Sequence, residues 1–160
     1  MANTYFNQWS QYLSQNDYNI LVDFVDATKN GQQRDKCLLF HGTGGNGKST
    51  LLKQIHDYLG DVNCDHMRAH MNRQEDFTKK LFYAEDEEDG PNRNLESFIK
   101  TVLGREPVVV RGAGMEVGLT YPYIANLILV SNGLKWLDNK PGLAERMRII
   151  EFTHSFYNNQ

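Results

Sequence analysis

The sequence predicts a three-layer α/β domain built on a mainly parallel five-stranded sheet, and three observations carry that prediction. A short apolar run, Cys37 to His41, feeds a glycine-rich turn that ends in Gly47-Lys48-Ser49 before an apolar-periodic segment. Other apolar runs of strand length alternate with segments of helical period, the pattern of βαβ units. The run Leu81 to Ala84 passes directly into the acids Glu85-Asp86-Glu87-Glu88-Asp89, which places carboxylates at the end of a core strand.

From the N-terminus, Tyr5, Phe6, Trp9, Tyr12 and Leu13 recur at helical spacing, and Ile20, Leu21, Phe24 and Val25 do so again. Two helices are therefore expected in an N-terminal segment, residues 1–33, with Asp17 as an N-cap and Asn30-Gly31 as a stop. The first aromatic stripe reads as core, with a partner surface as the alternative. Residues 34–160 are expected to form the α/β domain itself. Its first strand is Cys37 to His41, and Gly47 to Leu59 is the helix after the glycine-rich turn. Val62 to His70 is ambiguous and holds Cys64, His66 and His70, a weak zinc-like set without a fourth ligand. Gln74 to Lys80 reads as a short helix and Leu81 to Ala84 as a buried strand. Leu95, Phe98, Ile99, Val102 and Leu103 mark a helix stopped by Gly104. Pro107 to Val110 is extended, Gly112-Ala113-Gly114 is a turn, and Met115 to Leu119 can return as the second strand of a hairpin. Asn126 to Ser131 is a further core strand, Pro141-Gly142 breaks the following loop, and Arg146 to Phe152 is the last strand. The polar tail from Thr153 to Gln160 is expected to fray.

Gly42, Gly47, Lys48 and Ser49 fit the phosphate-binding pattern G-x-x-x-x-G-K-[ST], in the required setting of a strand before and a helix after. Glycines let successive N–H groups converge on one anion, and the helix adds the positive end of its dipole. The residues Gly42, Thr43, Gly44, Gly45, Asn46, Gly47, Lys48, Ser49 and Thr50 are thus the candidates for holding the phosphates of ATP. Lys48 is expected to reach the β- and γ-phosphates and Ser49 to ligate Mg²⁺, while Thr50 helps hold the helix start. Glu85 is the second candidate for Mg²⁺, through water, and Asp86 or Glu85 is the candidate to orient an attacking water. For the remaining acids a solvated turn ending at Gly90-Pro91 is the simpler reading. Asn132, at the end of a core strand, is either a turn residue or a contact to the γ-phosphate. Arg111 is either a surface charge beside a turn or a ligand contact.

A chain of 160 residues with a net charge of −3 has room for one domain with a real core, and it is not basic enough to bind nucleic acid over its whole surface. Such binding would need a local patch or a ring of subunits. No apolar run approaches membrane-spanning length and the first thirty residues lack signal-peptide features, so the cytoplasm is the default location. Cys37 and Cys64 form no C-x-x-C motif and read as free thiols of a reducing compartment.

Taken together, Gly45 to Thr50, the strand ending in Glu85, the block Ile99 to Pro107, the Ser131-Asn132 strand end and the segment Arg146 to Phe152 resemble a superfamily 3 helicase. The likeness is to the AAA+-like ATPase module of phage and large-DNA-virus primase-helicases, over about Leu38 to Phe152. The resemblance implies an ATP- and Mg²⁺-dependent ring, typically a hexamer, that translocates on single-stranded nucleic acid, DNA before RNA, in the host-cell cytoplasm. It implies that Asn132 senses the γ-phosphate and that Arg146, with Arg148 as the alternate, reaches a neighbour's ATP. Relatives show two adjacent arginines where this chain has Glu145-Arg146. The region Val108 to Gly118 matches the family's pore hairpin, which implies Arg111 and Lys100 as nucleic-acid contacts. The family's primase domain, origin-binding domain and most of its oligomerisation region have no counterpart in these residues, so the resemblance implies either a motor-only fragment or a small protein that depends on a partner such as a primase or replication initiator. A small P-loop kinase acting on a nucleoside or metabolite is the competing reading.

Overall fold

Four of the apolar runs and the ambiguous segment at Cys64 to His66 become neighbouring strands of one sheet, and their pleat decides what lies on each side of it. A computed structural model describes residues 2–68, 71, 73–86, 90–110 and 119–156. The strands are β1 (Cys37–His41), β2 (Cys64–His66), β3 (Leu81–Asp86), β4 (Val108–Val110), β5 (Leu119–Tyr121), β6 (Asn126–Ser131) and β7 (Met147–Glu151). The sheet runs β2-β3-β6-β1-β7, with every pairing parallel. Parallel strands need crossovers that cover both faces, and the helices α2 (Gln15–Lys29), α3 (Lys48–Leu59) and α4 (Arg93–Gly104) do so.

Successive side chains of a strand point to opposite faces. Leu38 and Phe40 of β1 therefore pack with Leu21 of α2, with Leu51 and Ile55 of α3, and with Phe6 and Trp9 from the N-terminus. Cys37 and Leu39 pack on the other side with Phe98, Ile99 and Val102 of α4 and with Trp136. The result is the expected three layers. The described part of the N-terminal segment, residues 2–33, shares the first of these cores with the sheet.

The N-terminus departs from two regular helices. It forms a short α1 (Ala2–Tyr5) and a 3-10 turn, Asn7–Gln11. Phe6, Trp9 and Leu13 are buried, whereas Tyr5 is exposed and Tyr12 half-buried, so the stripe is core along only part of its width. The cap of α2 is Ser14, whose Oγ accepts from the Asp17 N–H at 3.1 Å, rather than Asp17. Asp17 lies in the first turn, where a carboxylate complements the helix dipole, and accepts from the Glu151 N–H. The stop at Asn30-Gly31 is as expected, with Gly31 at φ 73°.

Other boundaries move for local reasons. The helix after the loop starts at Lys48, because Gly47 is its left-handed cap. The segment expected as a short helix before β3 is a 3-10 turn, Gln74–Thr78, and β3 itself continues to Asp86. Arg105, at φ 56°, ends α4 just past Gly104. Its guanidinium donates to the carbonyls of Ala125, Arg34 and Tyr123 and to Asn126 Oδ1, bonds that hold a backbone conformation unusual for a residue with a Cβ. Pro141 does not break the loop but opens α5 (Pro141–Ala144), a first-turn position where its missing N–H costs nothing. Val110 pairs with Leu119 in the antiparallel β4–β5 ladder. The return strand therefore runs on to Tyr121, beyond the expected Leu119. Residues 111–118, with Arg111 and the predicted turn, lie outside the described residues.

The tail corrects the expectation of fraying as far as Phe156. The Phe152 N–H donates to the His41 carbonyl, and the Phe156 N–H to the Gly45 carbonyl at 2.9 Å. Among the described residues no helix is long and apolar enough to cross a membrane.

Candidate functional site

The five strands of the main sheet point the same way, so their C-terminal ends meet at one edge. His41 of β1 and Asp86 of β3 are both level with Ser131 of β6. The chain leaves that edge as the glycine-rich loop after β1, as the acidic segment after β3, and as Asn132-Gly133 after β6. This is the crevice where ligands of open α/β sheets bind. Because β6 lies between β1 and β3, Asn132 emerges between the loop and the acids.

Glycine is required at two points of the loop. A Cβ at Gly42 would lie 2.6 Å from the Phe152 carbonyl, and one at Gly47 would lie 2.8 Å from both the Trp9 and Phe156 rings. Gly47 also has φ 85°. The loop thus passes closer to its neighbours than any side chain would allow.

The Lys48 ammonium is buried and donates to the Gly42 carbonyl at 2.6 Å, the Thr43 carbonyl at 3.0 Å and Asn46 Oδ1 at 3.3 Å. Burial lowers its pKa below the ordinary lysine value, because a low-dielectric setting disfavours the charged form. Asn46 is buried as well, and its Nδ2 donates to the His154 carbonyl at 2.7 Å, which ties loop to tail. Ser49 Oγ donates to Glu85 Oε1 at 2.9 Å. A cleft of about 510 Å³ is lined by residues Gly44 to Thr50 together with Glu85, Val130 and Asn132. The structure therefore gathers Lys48, Ser49, Thr50, Glu85 and Asn132 around one space. Gly42 and Thr43 reach it through carbonyls bonded to Lys48. Asp86 is placed by its backbone alone.

The arginines lie elsewhere. Arg146 immediately precedes β7, and its carbonyl accepts from the Cys37 N–H. That is the N-terminal edge of the sheet, six residues below Gly42 in register, or roughly 20 Å along the strands. Its Nη1 donates to the Gly142 carbonyl. Arg148, level with Leu38, is exposed. Neither residue lines the cleft. Lys100 pairs with Glu96 at 3.2 Å, and Lys140 shares the same carboxylate. The hydrogen bond from Lys140, then that from Lys100, holds the Glu96 carboxyl below its usual pKa, against the opposing effect of burial.

Among the described residues no group of histidine, cysteine and acidic side chains could hold a metal ion on its own. His70 lies outside them. Burial, reinforced by Asp61, pushes the Cys64 thiol up to about 12, the wrong direction for a zinc thiolate.

The sequence reading did not place Trp9, Tyr12, Gln54 and Phe156 at the site. They line a second cavity, of about 320 Å³, that shares Gly45, Gly47 and Thr50 with the first. The available signal was the aromatic stripe at the N-terminus, which periodicity assigns to core.

Comparison with known proteins gives a fold and a family. No curated protein matches the sequence. Two apo structures of the NrS-1 C-terminal region are similar, with TM-scores of 0.56 and 0.55 and identities of 15% and 13%. In both the match covers 92% of this chain, but only 40% and 39% of theirs. The chain thus spans less than half the length of those structures, and at such identity the likeness is one of fold. A family of unknown function, DUF5906, matches residues 40–146, more than half of the sequence, and the chain belongs to that family.

Proposed function

We propose that the chain is an ATP-hydrolysing module of a nucleic-acid motor of the superfamily 3 kind, acting in genome replication. The observation that carries this reading is the Ser49–Glu85 contact of 2.9 Å at the mouth of the cleft that also holds Lys48 and Asn132. A hydroxyl and a carboxylate held together beside a phosphate loop fit Mg²⁺, a hard cation that takes one or two protein oxygens and keeps its remaining waters. Ser49 and Glu85 would hold it, and it would neutralise charge on the terminal phosphates. Lys48 supplies a fixed positive charge in a dry setting, where electrostatic stabilisation is strongest. Asn132 stands where an amide can touch the terminal phosphate.

Among the described residues no arginine lines this cleft, and Arg146 lies at the opposite edge of the sheet. An arginine delivered to phosphoryl transfer accelerates it by about 10³ to 10⁵. In this reading it comes from a second copy of the chain. The test is ATP turnover with and without single-stranded DNA, followed by mixing of two inactive variants, Lys48→Ala and Arg146→Ala. Stimulation by DNA and recovery of turnover on mixing are the expected results. Phosphate transfer to a nucleoside, with no DNA effect and no recovery in mixtures that co-assemble, would replace the motor by the kinase reading.

A further inference from the structure

We propose that the aromatic cavity between the N-terminal segment and the tail, walled by Trp9, Tyr12 and Phe156, binds the purine base of the nucleotide. The inference rests on the reading of the loop as a triphosphate site and adds the other half of the ligand. Three observations carry it.

The first is continuity. The cavity measures about 320 Å³ and shares Gly45, Gly47 and Thr50 with the phosphate cleft. One ligand can therefore lie across the loop, phosphates on one side and ring on the other. That volume falls within the roughly 300–1,000 Å³ range of small-molecule sites.

The second is how the rings are disposed. Tyr12 lies 5.0 Å from Phe156 and 5.8 Å from Trp9, centroid to centroid, and Trp9 lies 6.5 Å from Phe156. The three pairs meet edge to face at 65–78°, so none of these rings stacks flat on another of the three. Phe156 is 39% exposed and Tyr12 half-buried. His154 packs against both Tyr12 and Phe156, at 4.7 and 4.6 Å, and Trp9 is buried, so the accessible aromatic surface of the cavity is that of Tyr12 and Phe156, beside the glycine loop. A flat heteroaromatic ring is the ligand that uses it.

The third is a polar edge. Trp9 Nε1 donates to Gln54 Oε1 at 2.8 Å, and Gln8 Nε2 approaches the same oxygen at 3.4 Å. An indole nitrogen is a donor only, so it fixes the Gln54 oxygen toward itself and leaves the Gln54 amide nitrogen as a donor. Gln8 retains its amide oxygen as an acceptor. Neither atom has a partner among the described residues. A donor beside an acceptor complements the edge of an adenine ring, which offers one of each.

The tail belongs to this site and is tied to the loop. Phe156 donates its N–H to the Gly45 carbonyl, and the His154 carbonyl accepts from Asn46, the residue whose other amide atom touches Lys48. Base and phosphates thus meet the same short stretch of loop.

Titration calorimetry with Mg²⁺ and either ATP, CTP or inorganic tripolyphosphate separates the two halves. The wild-type chain is expected to bind ATP at least about tenfold more tightly than CTP or tripolyphosphate. Tyr12→Ala and Phe156→Ala, checked for an unchanged circular dichroism spectrum, should each weaken ATP about tenfold and leave tripolyphosphate unchanged. Tyr12→Phe should restore ATP binding. Equal wild-type affinity for ATP and tripolyphosphate, or alanine variants that weaken both alike, would overturn the base pocket while leaving the phosphate loop in place. Failure of the wild type to bind either ligand would overturn the loop reading and this inference with it.

Discussion

Replacing Lys48 by alanine should separate what the loop contributes to folding from what it contributes to chemistry. In the free protein its ammonium donates to two carbonyls and one amide oxygen. Hydrogen bonds from a charged donor contribute about 1.5–3 kcal/mol each at most. Against them stands the cost of burying the charge with no carboxylate within ion-pair distance among the described residues, which is several kcal/mol. The downward shift of the lysine pKa is the sign that desolvation outweighs the bonds to the charged form. The net change in stability should therefore be small, within about 1 kcal/mol, which at this chain length is a midpoint shift of about 2–4 °C. The pH dependence has a definite sign. A base whose folded pKa lies below its unfolded value of 10.5 weakens the fold at neutral pH, and that penalty is relieved as pH rises toward 10.5, because the unfolded chain then binds more protons. Lys48→Ala should gain relative to wild type at neutral pH and lose that gain in the alkaline range. Turnover should fall about 10²- to 10³-fold, the effect of deleting one preorganised donor to transition-state charge. Malachite-green phosphate release and thermal melts across pH measure both quantities. Turnover within tenfold of wild type would refute the role of Lys48 at the phosphates, and a midpoint lowered by more than about 10 °C would make it a structural tie of the loop.

The remaining predictions concern the frame around the site. Asn126 donates to Thr28 Oγ1 and the Gln32 carbonyl and accepts from the Arg34 N–H and Arg105, so Asn126→Leu should cost at least about 3 kcal/mol in urea unfolding; a loss below 1 kcal/mol would mean that the network is idle. Cys64, raised to about 12, should resist iodoacetamide at pH 8 in the native chain and react in urea, and rapid native alkylation would contradict its burial. Cys64 should contribute a loss of stability as pH rises from 9.0 toward 12, because the unfolded thiol ionises first, and Cys64→Ala should make that slope shallower, the remainder coming from tyrosines such as Tyr83 and Tyr123 that burial also raises.

Much of the frame was legible because burial writes itself into short apolar runs. Cys37 to His41 and Asn126 to Ser131 are strands over the residues read from the sequence, and the glycine-rich loop lies between a strand and a helix as its pattern requires. What the sequence did not convey is adjacency. An apolar run reports that a strand is buried on both faces, not which strand is beside it, so Asn132 was legible as a strand-end candidate, whereas the insertion of β6 between β1 and β3 that carries it to the cleft had no one-dimensional signal. The same limit hid the half-buried Arg105 and the tail. A polar segment ending in Phe156 looks like a frayed terminus until the loop it covers is in view, and Trp9 is both core residue and cavity wall, two roles with one periodicity.

The direction of the strands, combined with the proposed role of Arg146, specifies how two copies of this chain would share an ATP site. Parallel pairing places the loop, Glu85 and Asn132 at the C-terminal edge and the start of β7, with Arg146, at the N-terminal edge. The carbonyl of Arg146 is held by the backbone of β1, so no rotation of a side chain about 7 Å long closes a gap of roughly 20 Å. If Arg146 acts on ATP, it acts on the ATP of another copy, and the face carrying the arginine differs from the face carrying the loop. Contacts between two different faces are heterologous; repeated, they close into a ring or continue as a filament. A two-fold dimer, which pairs a surface with itself, satisfies both sites at once only if each copy offers both edges to its partner, which their separation across the sheet opposes. Head-to-tail order therefore follows from the topology of the sheet together with the proposed role of one arginine, and it makes recovery of turnover on mixing the observation on which the motor reading most depends.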